Sequence, residues 1–158
     1  MNTDRPAEGP GVKFPPPLLY LALLILGILL SVWYPVHFLP SALAWILGGI
    51  SLAGGMLLGP IWGIRTLRDA GTTIRPDKPA AKLVTDGPFR FSRNPLYLAL
   101  TLMYAGIALM ADSIWALLLL FPVTFIMTRF VIQREEDYLA RTFGEDYERY
   151  KKSVRRWI

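Results

Sequence analysis

Cysteine is absent from the 158-residue sequence, and histidine occurs once, as His37. The absence of cysteine excludes disulfide bonds, thiolate metal ligands and a cysteine nucleophile. His37 lies in a predicted short turn between two apolar stretches, where a solvated or interfacial side chain is a better explanation than a ligand. Neither thiol chemistry nor a metal site is therefore expected.

Charge is missing from two long stretches of the chain. No Asp, Glu, Lys or Arg occurs in the 51 residues from Phe14 to Ile64, and Asp112 is the only charged residue among the 35 from Asn94 to Thr128. A bilayer core needs about 20 apolar residues for each spanning helix, so the first stretch holds two helices and the second holds two shorter ones. The sequence predicts an all-α, polytopic membrane protein with four transmembrane helices.

Breaks within the two stretches set the helix ends. Pro35 and Pro40 separate the first two helices, and Asp112, which is expected to act as a helix cap, begins the break between the last two. The predicted helices cover residues 17–34, 42–70, 95–111 and 113–142. A single domain is expected over residues 1–158, with a flexible N-terminal tail (1–16), a cytoplasmic loop (71–94) and a cytoplasmic interfacial tail (143–158).

The interfacial tail contains an amphipathic helix. Phe143, Tyr147, Tyr150 and Val154 follow one another at helical spacing and form one apolar stripe on an otherwise charged segment. Such a helix is typical of a membrane interface. A simple membrane anchor and a cover over an active site explain it equally well.

Lysine and arginine residues indicate how the helices are oriented. Two precede the first predicted helix, seven lie between the second and third, and eight follow the fourth, whereas the two short hairpin connections have none. By the positive-inside rule both termini and the central loop face the cytoplasm, and the expected location is the inner (plasma) membrane of the cell. A cleaved signal peptide is the main alternative for the first helix, but Asp4 and Glu8 in its leader disfavour that interpretation. The net charge of +5 follows from this topology and from anionic headgroups, so nucleic-acid binding is not expected.

Gly55, Gly59 and Gly63 recur at four-residue spacing and therefore share one face of the second predicted helix. Small residues at this spacing let helices approach closely. The contact is expected either within the chain or between chains, so a homo-oligomer through these glycines is one expectation. A direct role in binding a ligand is a weaker one.

A polar stretch leads into the third predicted helix. Asn94 and Pro95 form a helix-start signature, with asparagine at the N-cap and proline at the first helical position. Arg93 then lies just outside the helix and Tyr97 in its first turn, beside backbone N–H groups without partners in the helix. Such a helix end favours an anion.

Two glutamates, Glu135 and Glu136, lie at the cytoplasmic end of the fourth predicted helix. If the third and fourth helices form a hairpin, these glutamates return to the neighbourhood of Asn94 and face Arg93 and Arg90. An ordinary salt-bridged helix exit explains the pattern as well as a functional site does.

Four short motifs follow one another from Leu83 onward, over about half of the chain. They are a Gly-Pro-aromatic-Arg element, an Arg-x-Pro-x-Tyr element, tandem glutamates and a Phe-Gly…Tyr…Tyr ending: Gly87, Pro88, Phe89, Arg90; Arg93, Pro95, Tyr97; Glu135, Glu136; Phe143, Gly144, Tyr147, Tyr150. In this order the motifs resemble the isoprenylcysteine carboxyl methyltransferase family, to which phospholipid methyltransferases are more distantly related. Asn94 stands where many members have histidine, so an amide or a backbone group must replace any contact of that imidazole.

The resemblance implies an S-adenosylmethionine-dependent methyltransferase that acts on a lipophilic substrate. Glu135 and Glu136 would hold the ammonium group of the cofactor, while Arg93 and the start of the third helix would hold its carboxylate. Tyr97 and Phe89 offer surfaces for its adenine or ribose. The implied catalytic residues are Arg90, Arg93 and Glu136. The implied cofactor-binding residues are Gly87, Pro88, Phe89, Asn94, Pro95, Tyr97, Glu135 and Glu136.

Methyl transfer is a displacement, so catalysis should come from positioning the acceptor and removing water from it. No histidine lies on the cytoplasmic side to act as a base, which favours an acceptor that is already anionic, such as a carboxylate paired with Arg90 or Arg93. Three alternatives stay open: methylation of a phospholipid amine, reduction by an NADPH-dependent enzyme of the sterol-reductase type, and a non-catalytic helical scaffold.

Overall fold

The computed structural model describes residues 10–11, 15–73 and 78–158, and all regular secondary structure within them is helical. The α-helices are α1 (Pro16–Trp33), α2 (Ser41–Met56), α3 (Ile64–Asp69), α4 (Pro95–Met110), α5 (Ile114–Ile126), α6 (Gln133–Phe143) and α7 (Glu145–Ser153). Two π-helical segments, Leu57–Gly63 and Met127–Ile132, join α2 to α3 and α5 to α6 without a break, and a 3₁₀ turn, Gly87–Arg90, precedes α4. The all-α prediction is confirmed.

Three of the helical stretches are long and apolar enough to cross a membrane. They are Pro16–Trp33, Ser41–Asp69 and Ile114–Phe143. The third predicted span corresponds to α4, whose 16 mostly apolar residues give a length of about 24 Å against a bilayer core of about 30 Å. Four transmembrane helices therefore stay a prediction, while three candidate spans and a shorter apolar helix are observed.

Helix α4 is the element on which the others pack. It contacts α1, α2 and α5, and α1 also packs against α5. The phenol of Tyr104 on α4 is buried among these helices, donates to the carbonyl oxygen of Ala116 at 2.9 Å, and meets the ring of Tyr20 edge-on at a centroid distance of 6.1 Å. This packing fixes the position of α4, whose first turn carries the candidate site.

The two hairpin connections meet at one end of the bundle. Nδ1 of His37 lies 2.8 Å from Oδ2 of Asp112, and the indole N–H of Trp115 donates to the carbonyl oxygen of Tyr34 at 2.8 Å. His37 is largely exposed, in agreement with the expected interfacial side chain. The candidate site lies at the opposite end, where both α4 and α6 begin.

Asp112 is not the helix cap that the sequence predicted. It has a φ of +48°, and its carboxylate faces His37 instead of the start of α5. The cap is Ser113, whose Oγ accepts a hydrogen bond from the N–H of Ala116 at 3.1 Å and donates to the carbonyl oxygen of Gly27 at 3.1 Å. The fully buried Ser113 hydroxyl therefore ties the start of α5 to α1.

Replacing Ser113 by alanine is expected to lower the free energy of unfolding by about 1–2 kcal/mol, because a helix cap and a buried hydrogen bond are lost together. Unfolding of the purified protein by SDS in mixed micelles measures the change. Asp112→Asn is the control, since asparagine tolerates a positive φ. A larger loss in Asp112→Asn than in Ser113→Ala would contradict this assignment of the cap.

The glycine face of the second long helix packs inside the chain. A Cβ atom placed on Gly55 would lie 2.8 Å from the carbonyl oxygen of Ala99, one on Gly59 would lie 2.6 Å from the Ala99 Cβ, and one on Gly63 would lie 2.7 Å from Cδ2 of Leu96. All three contacts are with α4, so the within-chain alternative is the one observed. A homo-oligomer through the same face would have to displace α4.

The π-helical segments change the direction of side chains near the site. Leu57–Gly63 contains Pro60, whose missing N–H a wider turn accommodates. Met127–Ile132 directly precedes α6. One extra residue in a turn rotates everything that follows by about 100°, so this segment helps to set the face that α6 presents to α4.

The amphipathic tail forms α7 after a turn at Gly144, where φ is +53°. Tyr147 and Tyr150 on its predicted apolar stripe are buried. The Tyr150 hydroxyl donates to the carbonyl oxygen of Phe89 at 2.7 Å, so α7 packs on the 3₁₀ turn before α4. Most of the predicted tail 1–16 and residues 74–77 of the predicted loop lie outside the described residues.

Candidate functional site

A cavity of about 750 Å³ lies between the start of α4, the start of α6 and α7. Its polar end comes from residues around the start of α4 and of α6, and its apolar wall comes from α1, the first π-helical segment, α3 and α4. The polar end includes Arg93, Asn94, Tyr97, Glu135 and Glu136. The apolar wall includes Pro16, Gly59, Pro60, Ile64, Leu96, Ala99, Leu100 and Met103. The cavity is large enough for a nucleoside-sized ligand, and it offers a charged and an apolar region to one ligand or to two.

Arg93 is a buried cation with unused hydrogen-bonding capacity. Its side chain is 9% exposed, and one terminal nitrogen lies 3.2 Å from Oε1 of Glu136. Its Nε and its other terminal nitrogen are buried and have no hydrogen-bond partner among the described residues. Buried polar groups normally have partners, and because Arg93 lines the cavity, these two nitrogens are available to a hydrogen-bond acceptor there.

Glu136 is already neutralised by two arginines. Its side chain is 8% exposed, and besides Arg93 it is bound by Arg156, whose Nε lies 3.0 Å from Oε1 and whose terminal nitrogen lies 2.7 Å from Oε2. The hydrogen bond to this carboxylate raises the pKa of the Arg156 guanidinium. Both oxygens of Glu136 are therefore engaged, which leaves little capacity for the cofactor ammonium expected from the sequence.

Glu135 is the acid with remaining capacity. The hydroxyl of Tyr97 donates to its Oε1 at 2.6 Å, and no second hydrogen bond reaches Glu135 from the described residues. The side chain is half-buried, and both Glu135 and Tyr97 line the cavity. Adjacent glutamates on one helix thus differ in role: Glu136 binds arginines of this chain, and Glu135 is open to a cationic ligand.

The tyrosines of α7 close one side of the polar end. Tyr147 is 1% exposed and Tyr150 is 7% exposed, and both line the cavity. Burial raises the pKa of both phenols, and the charge of Glu136 raises that of Tyr147 further. Both are therefore neutral at physiological pH, so α7 contributes aromatic surface and neutral hydroxyls without adding charge.

Some of the predicted site residues before α4 line the cavity, and others form the turn next to it. Phe89, Asn94 and Pro95 line the cavity, whereas Gly87 and Pro88 belong to the 3₁₀ turn behind it. Gly87 has a φ of +57°, and a Cβ there would lie 2.6 Å from Oγ1 of Thr66, so the turn needs glycine.

Two expectations for this loop are wrong. Arg90 is not placed with Arg93 and the glutamates: it is exposed and lies outside the lining of the cavity that they share. Asn94 occupies the N-cap position but its side chain caps nothing. Its Nδ2 instead donates to the carbonyl oxygen of Arg156 at 3.1 Å.

The role of Arg156 is not evident from the sequence. This residue stands in a run of basic residues after α7, where positive charge is explained by topology alone. Only the return of the chain after α7 brings its guanidinium to Glu136.

The chain belongs to the phospholipid methyltransferase family, whose model matches residues 43–146. The matched range includes Arg93, Tyr97 and both glutamates. The chain is also 38% identical over 63 residues to an uncharacterized protein of Haemophilus influenzae, which corresponds to 40% of this chain and to the whole of that protein.

A second relative is the protein-S-isoprenylcysteine O-methyltransferase of Schizosaccharomyces pombe, with 33% identity over 75 residues. The match covers 46% of this chain and 30% of the yeast protein, so the chain spans less than a third of that relative. No solved structure matches the chain significantly. The family membership and the apolar helices identify a membrane methyltransferase, and the resemblance described from the sequence is confirmed.

Proposed function

We propose that this protein is an integral membrane methyltransferase that uses S-adenosylmethionine and methylates a lipophilic carboxylate. The observation that carries the proposal is the buried Arg93, two of whose guanidinium nitrogens have no hydrogen-bond partner in the described part of the chain, in a cavity that Glu135 also lines. A buried cation and an available carboxylate in one cavity suit a ligand that has both an acid and an amine.

The residues present fit this cofactor. The free N–H groups of Arg93 and the N–H groups of the first turn of α4 would hold its carboxylate, and Glu135, positioned by Tyr97, would hold its ammonium. Phe89 and Tyr147 provide aromatic surface beside these groups. When bound, the cofactor supplies an electrophilic methyl group on a sulfonium. The protein itself needs to position the acceptor and to exclude water from it.

The remainder of the cavity fits a lipophilic acceptor with an anionic end. Its wall from α1, the first π-helical segment and α4 is apolar, so a hydrocarbon chain can lie there. Lys78 and Lys82 also line the cavity and would attract a carboxylate. A carboxylate needs no base before methyl transfer, in agreement with the lack of histidine near the site.

The same distribution of charge supports a location in the inner membrane with the site on the cytoplasmic side. The hairpin connections at the opposite end of the bundle have no lysine or arginine, whereas the segments around the cavity have many. The cofactor would then enter from the cytoplasm, and the acceptor from the bilayer.

A phospholipid amine is the second candidate acceptor, and the description of the matching family favours it. The test uses the purified protein in lipid nanodiscs with methyl-tritiated S-adenosylmethionine and two acceptors, a farnesylcysteine derivative and phosphatidylethanolamine. Label that base releases as volatile methanol is a methyl ester, whereas base-stable label in the lipid is an N-methyl group. We expect base-labile label.

Calorimetric titration with S-adenosylmethionine and S-adenosylhomocysteine distinguishes a methyltransferase from a non-catalytic scaffold. Both compounds are expected to bind, because they share the amino-acid end. Binding of neither would contradict the proposed function, and binding of a nicotinamide nucleotide alone would favour a reductase.

A further inference from the structure

The segment Val154–Ile158 follows α7 and returns to the candidate site. We propose that Arg156 in this segment is a positioning residue, which holds Glu136 so that the guanidinium of Arg93 stays directed into the cavity. The proposal rests on the proposed function, because the consequence is the binding of the cofactor carboxylate by Arg93.

The geometry at Glu136 supports this role. Arg156 forms a two-pronged contact with both carboxylate oxygens, at 3.0 and 2.7 Å, whereas Arg93 approaches only Oε1, at 3.2 Å. A two-pronged contact between a guanidinium and a carboxylate is stronger than a contact through one nitrogen. Arg156 therefore binds both oxygens of the carboxylate, and Arg93 keeps one ionic contact and two unpartnered nitrogens among the residues that the structure describes.

Without Arg156, the buried carboxylate of Glu136 would have one remaining cation. Burial of a charge is costly unless it is paired and hydrogen-bonded, so Arg93 would turn its free N–H groups toward Glu136. The cavity would then lose the donors that suit an anionic ligand. Arg156 acts on the ligand through Glu136 and Arg93, although it does not itself line the cavity.

Backbone contacts hold the segment in place. The N–H of Arg93 donates to the carbonyl oxygen of Arg155 at 3.0 Å. The carbonyl oxygen of Arg156 accepts from Oγ of Ser92 at 3.3 Å and from Nδ2 of Asn94 at 3.1 Å. Three consecutive residues before α4 are thus bonded to two consecutive residues of the segment. The position of the Arg156 side chain relative to Arg93 is fixed by these bonds.

The first test compares Arg156→Gln and Arg156→Lys with wild type by calorimetry and kinetics. In Arg156→Gln the Kd and the KM for S-adenosylmethionine are expected to rise on the order of tenfold, equivalent to about 1.4 kcal/mol, with a smaller change in kcat and in the KM of the acceptor. Arg156→Lys keeps the positive charge but cannot form the two-pronged contact, so its Kd should lie between those of wild type and Arg156→Gln. Arg155→Gln is the matched control, since the exposed Arg155 side chain forms no ion pair with the described residues.

The second test is a double-mutant cycle with Glu136→Gln. If Arg156 acts through Glu136, adding Arg156→Gln to Glu136→Gln changes the Kd for S-adenosylmethionine by less than about twofold. If the two residues act independently, the fold-changes in Kd of the two single variants multiply in the double variant. Normal cofactor binding by Arg156→Gln, or multiplied effects in the cycle, overturns the positioning role alone. Failure of the wild type to bind the cofactor overturns the proposed function itself.

Discussion

Replacing Arg93 by alanine is expected to weaken S-adenosylmethionine binding by at least about 100-fold and to leave the protein folded. A hydrogen bond to a charged group contributes about 1.5–3 kcal/mol, and each 1.4 kcal/mol corresponds to a factor of about ten in Kd. The loss of two such bonds therefore raises the Kd by more than about 100-fold. The fold should persist, because Glu136 keeps its forked contact with Arg156. Calorimetry of the detergent-solubilised protein measures the Kd.

Arg90→Ala is the matched control for this prediction. Arg90 lies three residues earlier, has the same charge and is exposed outside the cavity, so its loss should change the Kd by less than about twofold. The thermal unfolding midpoint of each variant shows whether it is folded. Equal Kd values for wild type and Arg93→Ala would show that the cofactor carboxylate binds elsewhere.

The largest expected effect on stability comes from Gly48→Leu, which should lower the free energy of unfolding by about 3 kcal/mol. A Cβ atom on Gly48 would lie 2.5 Å from Cγ of Met110 and 2.7 Å from the carbonyl oxygen of Gly106, which is backbone that cannot move alone. The side chain would force α2 and α4 apart. Because Arg93 lies two residues before the start of α4 at Pro95, activity should fall together with stability.

The adjacent Gly49→Leu provides the comparison. A Cβ there meets no atom within 4 Å, and leucine is the better helix former, so the variant should be as stable as wild type or slightly more stable. SDS unfolding of both variants gives the difference. A similar loss of unfolding free energy in Gly48→Leu and Gly49→Leu would contradict the view that Gly48 is needed for the close approach of α2 and α4.

Helix ends in this chain were predictable, because the signals that set them are local. Prolines and the absence of charge placed the first helix at 17–34, and it spans Pro16–Trp33; the helix predicted at 95–111 spans Pro95–Met110. The pairing of Arg93 with the glutamates of α6 also followed from the order of the helices. A hairpin of two adjacent helices returns the end of the second to the start of the first.

Features that depend on distant parts of the chain were not predictable. Adjacent glutamates point about 100° apart on a helix, but the pattern does not say which partner each one meets: Tyr97 binds Glu135, and Arg156 reaches Glu136 from beyond α7. The cap prediction at Asn94 failed for a related reason. Its amide is used by a backbone carbonyl 62 residues away, a partner that no local rule contains.

The polar end of the cavity is built around the start of α4, the start of α6 and α7, whereas its apolar wall comes from both halves of the chain: Pro16, Gly59, Pro60 and Ile64 from the first, and α4 from the second. Under the proposed function, the second half of the chain therefore recognises the methyl donor, while both halves contact the hydrocarbon chain of the acceptor. Exchange of residues 16–64 for those of a related protein would alter which acceptor is chosen while donor affinity stays constant. One donor-binding half could in this way serve acceptors of many shapes.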